Sequence, residues 1–110
     1  MKDKKKKSKS NLPRSSELEI PSRYPLFTNR FREDCRWWCR TDKQTADKVF
    51  DLVTAVMKDP FQGIGKPELL KHLDPETWSR RITREHRLIY RVRKERIDFL
   101  QARYHYEESS

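Results

Sequence analysis

The spacing of apolar residues in this chain changes at Pro60, and that change limits the fold more than any other feature. Before Pro60, apolar residues recur every three or four positions, as on one face of an α-helix. After it, they alternate with polar residues, as in half-buried β-strands. The chain has 110 residues, enough for one domain with one modest core. The sequence therefore predicts an α+β fold, with two N-terminal helices packed on an antiparallel sheet.

One short strand and two helices are predicted before residue 60. Thr28 or Asn29 can cap the first helix. Thr41 and Gln44 have the spacing of a capping box for the second helix, which should stop at the following proline. The apolar positions are Tyr24, Leu26 and Phe27 for the strand, Phe31, Cys35 and Trp38 for the first helix, and Ala46, Val49, Phe50, Val53, Val56 and Met57 for the second.

Four extended segments are predicted after residue 60. Gly63 and Gly65, the only glycines of the chain, mark a loop before them. Short polar connections at 83–86 and 94–96 make the last three segments consecutive hairpins. The segments are a short piece at Leu69 and Leu70 and strands over residues 78–82, 88–93 and 97–106.

Residues 1–23 differ from the rest of the chain in composition. They carry eight Lys and Arg residues against three Asp and Glu, which gives +5 of the total charge of +9. Such a segment cannot bury a core, so we expect a disordered basic tail followed by a folded domain over residues 24–110. The tail is either a solubilising extension or an electrostatic tether to RNA.

The charge of +9 and the pI of about 9.8 predict an anionic partner. On charge alone, a nucleic acid, a membrane surface and an acidic protein all remain open. No apolar run has the length of a membrane span, so we expect a cytoplasmic protein without membrane contact. Arginines, which bind phosphate through two parallel hydrogen bonds, crowd the predicted strands and favour nucleic acid. They are Arg80, Arg81, Arg84, Arg87, Arg91, Arg93 and Arg103, expected on the sheet face away from the helices, with Lys66 and Lys71 just before them.

Cys35 and Cys39 are the only cysteines, and their spacing on the first helix predicts two buried thiols. A disulfide framework needs more cysteines and an oxidising compartment. A zinc site needs more ligands than the scattered His72, His86 and His105 provide. We therefore expect neither a metal nor another cofactor.

Several short motifs in residues 60–106 resemble the Txe/YoeB family of toxins within the RelE superfamily. Each is weakly specific alone, but their order and spacing, closing on His-Tyr, are specific together. The likeness extends loosely through the helices to about Tyr24 and leaves out the basic tail. The motifs are Pro60-Phe61, Gly65-Lys66-Pro67-Glu68, Leu70-Lys71-His72, Trp78-Ser79-Arg80-Arg81-Ile82, Glu85-His86-Arg87-Leu88 and Arg103-Tyr104-His105-Tyr106.

This resemblance implies a microbial ribonuclease-like fold, cleavage of messenger RNA in the ribosomal A site, and silencing by a YefM-type antitoxin. It places the general base at Glu68, the general acid at His105 and the phosphate-stabilising arginine at Arg87. A homodimer is left open. Tyr106 is implied as the terminal catalytic tyrosine, Lys71 and Arg81 have supporting roles, and with Lys66 and Arg103 they form the predicted RNA-binding set.

The chain departs from the family pattern in two places. Leu69 stands where relatives often carry proline, which affects the geometry of the Glu68 loop. Four residues also follow Tyr106, where relatives commonly end.

The implied residue types fit RNA cleavage without a metal. The 2′-hydroxyl can attack the adjacent phosphorus if a base, an acid and a cation for the phosphorane charge are in place. Glu68, Arg81, Arg87 and His105 should therefore lie on one open face of the sheet. Arg81 and Arg87 lie side by side only if the connection around residues 83–85 has an odd number of residues. Two alternatives remain: a non-catalytic gyrase inhibitor of the same fold, and a basic ribosome-associated protein.

Overall fold

The computed structural model describes residues 22–73 and 76–104. In these ranges the chain forms two helices and a five-stranded sheet, so the predicted α+β class is confirmed. Neither helix is long and apolar enough to cross a membrane. The predicted tail falls almost entirely outside the described residues, as do His105 and Tyr106.

The first helix, α1, spans Asn29–Thr41. Thr28 precedes it in extended conformation, and its hydroxyl accepts the backbone N–H of Phe31 at 3.1 Å. This contact satisfies one of the N–H groups that a helix start leaves without a partner, so the predicted cap is confirmed. Phe31 and Trp38 face the core as expected, and the charged Asp34 is buried between them.

The second helix, α2, spans Lys43–Lys58 and ends before Pro60 as predicted. Its cap is Asp42, so the prediction of a capping box from Thr41 was wrong by one residue. The Asp42 carboxylate accepts the N–H of Thr45 at 3.2 Å and its hydroxyl at 2.8 Å. Thr41 still belongs to α1, where its hydroxyl donates to the carbonyl of Trp37.

One face of α2 packs on the sheet, as the apolar period predicted. Phe50 is the exception, because 48% of it is exposed. It follows Val49, and one residue turns an α-helix by about 100°, so Phe50 lies at the margin of the apolar face. The buried residues of α2 are Ala46, Val49, Leu52 and Val56, with Val53 and Met57 partly buried beside them.

The five strands are arranged in the order β1-β5-β4-β3-β2. Strands β2 to β5 form the predicted antiparallel meander. Strand β1 pairs with β5 in parallel, so the expected wholly antiparallel sheet is mixed. Parallel neighbours require a long crossover, which the two helices and the first meander strands supply here. The strands are β1 (Tyr24–Phe27), β2 (Glu68–Leu69), β3 (Thr77–Arg81), β4 (Arg87–Val92) and β5 (Arg96–Gln101).

Strand β5 ends at Gln101, so the predicted strand over residues 97–106 was too long. Two buried hydrogen bonds to α1 take over at the next residue. The N–H of Ala102 donates to the Asp34 carboxylate at 2.9 Å, and the Trp38 indole donates to the Ala102 carbonyl at 2.8 Å. These contacts draw the chain away from the ladder toward α1.

The two thiols do not form the expected buried pair. Cys35 is half-buried at the edge of the core, whereas Cys39 is exposed. Burial, with smaller contributions from Cys39 and Asp34, raises the pKa of Cys35 to about 12. Cys35 is therefore a poor nucleophile at neutral pH.

Candidate active site

The strand register brings three predicted site residues to one face of the sheet. Arg81 of β3 lies directly opposite Arg87 of β4, and Glu68 of β2 lies directly opposite Ser79 of β3. Side chains two residues apart on a strand share a face, so Ser79 and Arg81 point the same way. Glu68, Arg81 and Arg87 therefore lie on one face, as predicted.

The separations follow from sheet geometry. Directly opposite residues such as Arg81 and Arg87 have Cβ atoms about 5 Å apart, and diagonal pairs such as Glu68 and Arg81 about 7–8 Å. Residues 82–86 connect the two arginines, an odd number as required. Leu88, next to Arg87 on β4, belongs to the core that α1 and α2 cover. The face with Arg87 therefore points away from both helices. Glu68 and Arg81 are exposed and Arg87 is half-buried, so a substrate can reach them.

A buried arginine holds the loop that leads to Glu68. Arg80 was expected among the arginines of the open face, but it is fully buried on the helix side of the sheet. Strand alternation explains the difference, because Arg80 and Arg81 must point to opposite faces. Its guanidinium binds the phenol of Tyr90 through Nε at 3.1 Å and the backbone carbonyls of Asp59, Gln62 and Ile64 through its terminal nitrogens.

Tyr90 completes this clamp on the loop at 59–65. Its hydroxyl donates to the carbonyl of Pro60 at 2.7 Å while accepting from Arg80. Burial raises the pKa of Tyr90, against a smaller opposing effect of Arg80. The phenol therefore stays protonated and can keep donating at neutral pH.

The end of the loop is fixed by close backbone contacts. Gly65 has φ +86°, and a Cβ there would lie 2.8 Å from the Leu52 side chain, so only glycine fits. Its carbonyl accepts the N–H of Arg81 at 2.7 Å. Lys66 follows with φ +53°, and Glu68 enters the sheet two residues later. The clamped loop thus determines where Glu68 lies relative to Arg81.

Arg87 is oriented by the turn that precedes it. Its Nη1 donates to the carbonyls of Thr83, Arg84 and His86 at 2.9–3.1 Å. Within the described ranges, its Nε and Nη2 make no hydrogen bond. One side of the guanidinium therefore holds the turn, and the other retains donors for an oxyanion such as phosphate.

The C-terminal stretch runs beside Arg87. The N–H of Arg87 donates to the Tyr104 carbonyl at 3.1 Å, and the Tyr104 N–H donates to Nδ1 of His86 at 2.8 Å. Sequence reasoning assigned no role to His86, although it lies in one of the quoted motifs. It anchors the residue immediately before His105, whose own position lies outside the described residues.

The other predicted RNA-binding residues take different positions. Lys66 and Lys71 are exposed in the segments on either side of β2. Arg103 leaves the sheet, and its guanidinium stacks over the Trp37 ring of α1 at 3.9 Å. Two separate features result: the open face that carries Glu68 and Arg87, and the stack of Arg103 on Trp37. Tyr104 contacts both of them.

Three further arginines of the open face hold the sheet together. Arg91 donates to the hydroxyl of Thr77 at 3.2 Å. Arg93 and Arg96 each bind one oxygen of the buried Asp98 carboxylate at 2.7 Å. Burial alone raises the pKa of Asp98, but the hydrogen bonds from the two arginines outweigh it and lower that pKa below its usual range.

Comparison with known proteins identifies the family. Residues 27–106 match the family model described as the YoeB-like toxin of bacterial type II toxin–antitoxin systems. The chain belongs to this family. The Toxin YoeB of Mycobacterium bovis is 46% identical over 74 residues, which cover 67% of this chain and 87% of that protein. The Toxin YoeB of Escherichia coli K12 is 45% identical over 81 residues, covering 74% and 96%.

Solved structures of YoeB proteins have the same fold. A YoeB/ParE toxin from Agrobacterium tumefaciens is 41% identical with a TM-score of 0.69, covering 76% of this chain and 99% of that chain. A YoeB dimer from Staphylococcus aureus is 33% identical with a TM-score of 0.68, covering 77% and 99%. The toxin of a heterotetrameric YoeB-YefM complex from S. aureus is 35% identical with a TM-score of 0.66, covering 76% and 98%. This YoeB-like chain is therefore a type II toxin, and the predicted family is confirmed.

Proposed function

We propose that this toxin is a metal-independent endoribonuclease that cuts messenger RNA in the ribosomal A site and so inhibits translation. The observation that carries the proposal is the placement of Glu68 with Arg81 and Arg87 on one open sheet face. A carboxylate beside two guanidinium groups supplies a base and cations, two of the three chemical roles that the reaction needs.

In the proposed reaction, Glu68 removes the proton from the 2′-hydroxyl. The 2′-oxygen attacks the adjacent phosphorus, and the bond to the 5′-oxygen breaks. The charge that builds on the phosphoryl oxygens is stabilised by the free donors of Arg87, with Arg81 opposite it and Lys71 in a supporting role. The products are a 2′,3′-cyclic phosphate and a 5′-hydroxyl. A carboxylate is a weak base at neutral pH, so its positioning by the clamped loop carries much of the rate.

His105 is the proposed acid that protonates the leaving 5′-oxygen, with Tyr106 as the second C-terminal catalytic residue. The support is the course of the chain, because Tyr104 is bonded to the backbone of Arg87 and to His86. Tyr104, the last residue before His105, is therefore held adjacent to Arg87. Lys66 and Arg103 are proposed to bind RNA outside the reacting phosphate.

An antitoxin of YefM type is the proposed protein partner. A related toxin of S. aureus forms a YoeB-YefM complex, and a YoeB from S. aureus forms a dimer. A charge of +9 suits an acidic segment that orders on the basic site and stabilises the toxin. A homodimer and a cytoplasmic location, where ribosomes are, belong to the same proposal.

The test is cleavage of a translated message by the parent chain and by Glu68→Gln, Arg87→Gln and His105→Ala variants. Each variant should lower the maximal cleavage rate by at least about 100-fold without abolishing ribosome binding. Glu85→Gln is the matched control, because Glu85 is an exposed carboxylate in the turn before Arg87.

Two results would contradict the proposal. Full activity of Glu68→Gln would remove the base from the mechanism. An inactive parent chain that inhibits gyrase, or that binds ribosomes without cutting the message, would favour one of the two non-catalytic alternatives.

A further inference from the structure

Helix α1 carries a line of arginines on its exposed side. Arg32, Arg36 and Arg40 are four residues apart and all exposed. In the part of the chain that the structure describes, none of the three forms an ion pair, whereas Arg30 on the same helix is paired with Asp34. Glu33 is the one exposed acid of α1, so these arginines give the surface a local excess of positive charge.

The spacing of this line has a structural consequence. An α-helix rises about 1.5 Å per residue, so side chains four residues apart lie about 6 Å apart along one face. Consecutive phosphates of a nucleic-acid strand have a comparable separation. Arg40 in the last turn also interacts favourably with the helix dipole, but this does not explain Arg32 or Arg36.

A planar stack lies beside the arginines. The guanidinium of Arg103 covers the Trp37 ring at 3.9 Å and lies 4.9 Å from the Tyr104 ring centroid. A depression of about 290 Å³ opens at this stack between α1 and the C-terminal segment. This volume is at the lower end of small-molecule sites, about 300–1,000 Å³, and suits one planar base. The residues that line it are Glu33, Arg36, Trp37, Arg40 and Arg103.

The stack is continuous with the candidate active site. Arg103 donates to the Tyr104 hydroxyl at 2.9 Å, and the Tyr104 ring packs against His86 at 5.2 Å. Tyr104 in turn accepts from the backbone of Arg87. Arg87, Tyr104 and Arg103 therefore form a continuous series of contacts from the candidate active site to α1.

We infer that Arg32, Arg36, Arg40 and the Arg103–Trp37 stack form an accessory RNA-binding surface, the α1 arginine surface. It binds the phosphates of a single strand and stacks one base outside the cleavage site. The inference rests on the proposed function, which supplies RNA as the ligand. An acidic protein would be attracted by the same charge, but its carboxylates would not need the partly exposed planar stack of Arg103 and Trp37. Bases stack on arginine and aromatic planes, which is why RNA is favoured.

The test uses the full chain and a variant with Arg36→Gln and Arg40→Gln. Both positions are exposed, so the fold should be retained. The probe is a short fluorescein-labelled single-stranded RNA with 2′-O-methyl groups, which cannot be cut by 2′-oxygen attack. The slope of log Kd against log salt should fall by about 1.4, or 0.7 for each of two lost phosphate contacts. Lys48→Gln with Lys94→Gln is the control, because it removes the same charge from exposed positions elsewhere.

A second measurement distinguishes message from ribosomal RNA as the strand. Binding of the same variants to empty ribosomes is measured beside the oligonucleotide. A reduced slope with the oligonucleotide supports contact with message, and a reduced slope with ribosomes alone supports contact with ribosomal RNA. Arg36→Lys with Arg40→Lys should restore the parent slope in whichever measurement changed, since it keeps both charges.

Three outcomes would overturn the inference. One is an unchanged slope in both measurements, and another is an equal loss in the Lys48 and Lys94 control. The third is a variant that weakens only the binding of polyglutamate, which would assign the surface to an acidic protein. None of these readouts depends on cleavage, so an inactive parent chain would refute the proposed function and leave this surface to be judged by its own data.

Discussion

Replacing Tyr90 with Phe removes one hydroxyl from the clamp on the Glu68 loop. The hydroxyl donates to the Pro60 carbonyl at 2.7 Å and accepts from Arg80 at 3.1 Å, and both bonds are buried. The ring itself stays in place, so the core keeps its packing. What is lost is the partner of one carbonyl and of one nitrogen of a buried guanidinium.

The expected cost follows from these two groups. A buried polar group without a partner costs about 1–3 kcal/mol, so the loss of a partner for two groups in Tyr90→Phe should lower the free energy of unfolding by about 2–6 kcal/mol. A domain of this size has about 5–15 kcal/mol in all, so the variant should fold but melt early. At about 4–8 °C per kcal/mol, the Tm should fall by at least about 8 °C.

Urea denaturation and thermal melting measure this loss. Thr41→Val is the control, because the Thr41 hydroxyl makes a bond of similar length, 2.8 Å, that is exposed to water. Water can replace that bond, so its removal should cost less than about 0.5 kcal/mol. A Tyr90→Phe variant that unfolds at the same urea concentration as the parent would show that the clamp does not stabilise the loop.

Three other variants or conditions test separate features of the structure. Asp98→Asn should destabilise the protein at neutral pH. Because the folded-state pKa of Asp98 is lowered, the stability that its carboxylate contributes is present above about pH 4 and is lost as the pH falls through that lowered pKa. The urea midpoints of parent and variant should therefore converge in acid. Iodoacetamide at pH 8 should label the exposed Cys39 and leave Cys35 nearly unmodified, since a pKa of about 12 leaves about one thiolate in ten thousand; mass spectrometry showing equal labelling would contradict the burial of Cys35. Gly65→Ala should lower the free energy of unfolding by about 1–3 kcal/mol in urea denaturation, because a Cβ at φ +86° meets Leu52 at 2.8 Å, and a stabilising effect would refute the assigned loop geometry.

Local patterns predicted the elements that local physics determines. The helices follow from an apolar face that only the helical period can bury, and the cap at Thr28 follows from an unpaired N–H at Phe31. The common face of Arg81 and Arg87 follows from an odd number of residues in the connection between the strands, since a shift of the register by one residue would put them on opposite faces. None of these features requires knowledge of a distant part of the chain.

Two of the wrong predictions concern contacts between distant segments. The parallel pairing of β1 with β5 joins residues about seventy positions apart, and a four-residue apolar segment has no preference for parallel or antiparallel neighbours. The early end of β5 depends on Asp34 accepting the N–H of Ala102, a contact made by a helix residue that reads as an ordinary charged position. A charged residue on an amphipathic helix is normally exposed, so the sequence alone gave no reason to bury Asp34.

Arg80 shows why composition alone misplaces a charged residue that positions a candidate site. Counting arginines on the meander assigned it to the open face, although alternation with Arg81 already required the opposite one. The sequence does not identify the hydrogen-bond partners of Arg80. The acceptors of its terminal nitrogens are backbone carbonyls of the loop, and residues of every type have such a carbonyl. A buried guanidinium is tolerated when its donors are satisfied, and the turns through Gly63 and Gly65 bring those carbonyls into reach. The Arg80 guanidinium, which was counted toward RNA binding, is thus buried and fixes the loop from which Glu68 enters the sheet.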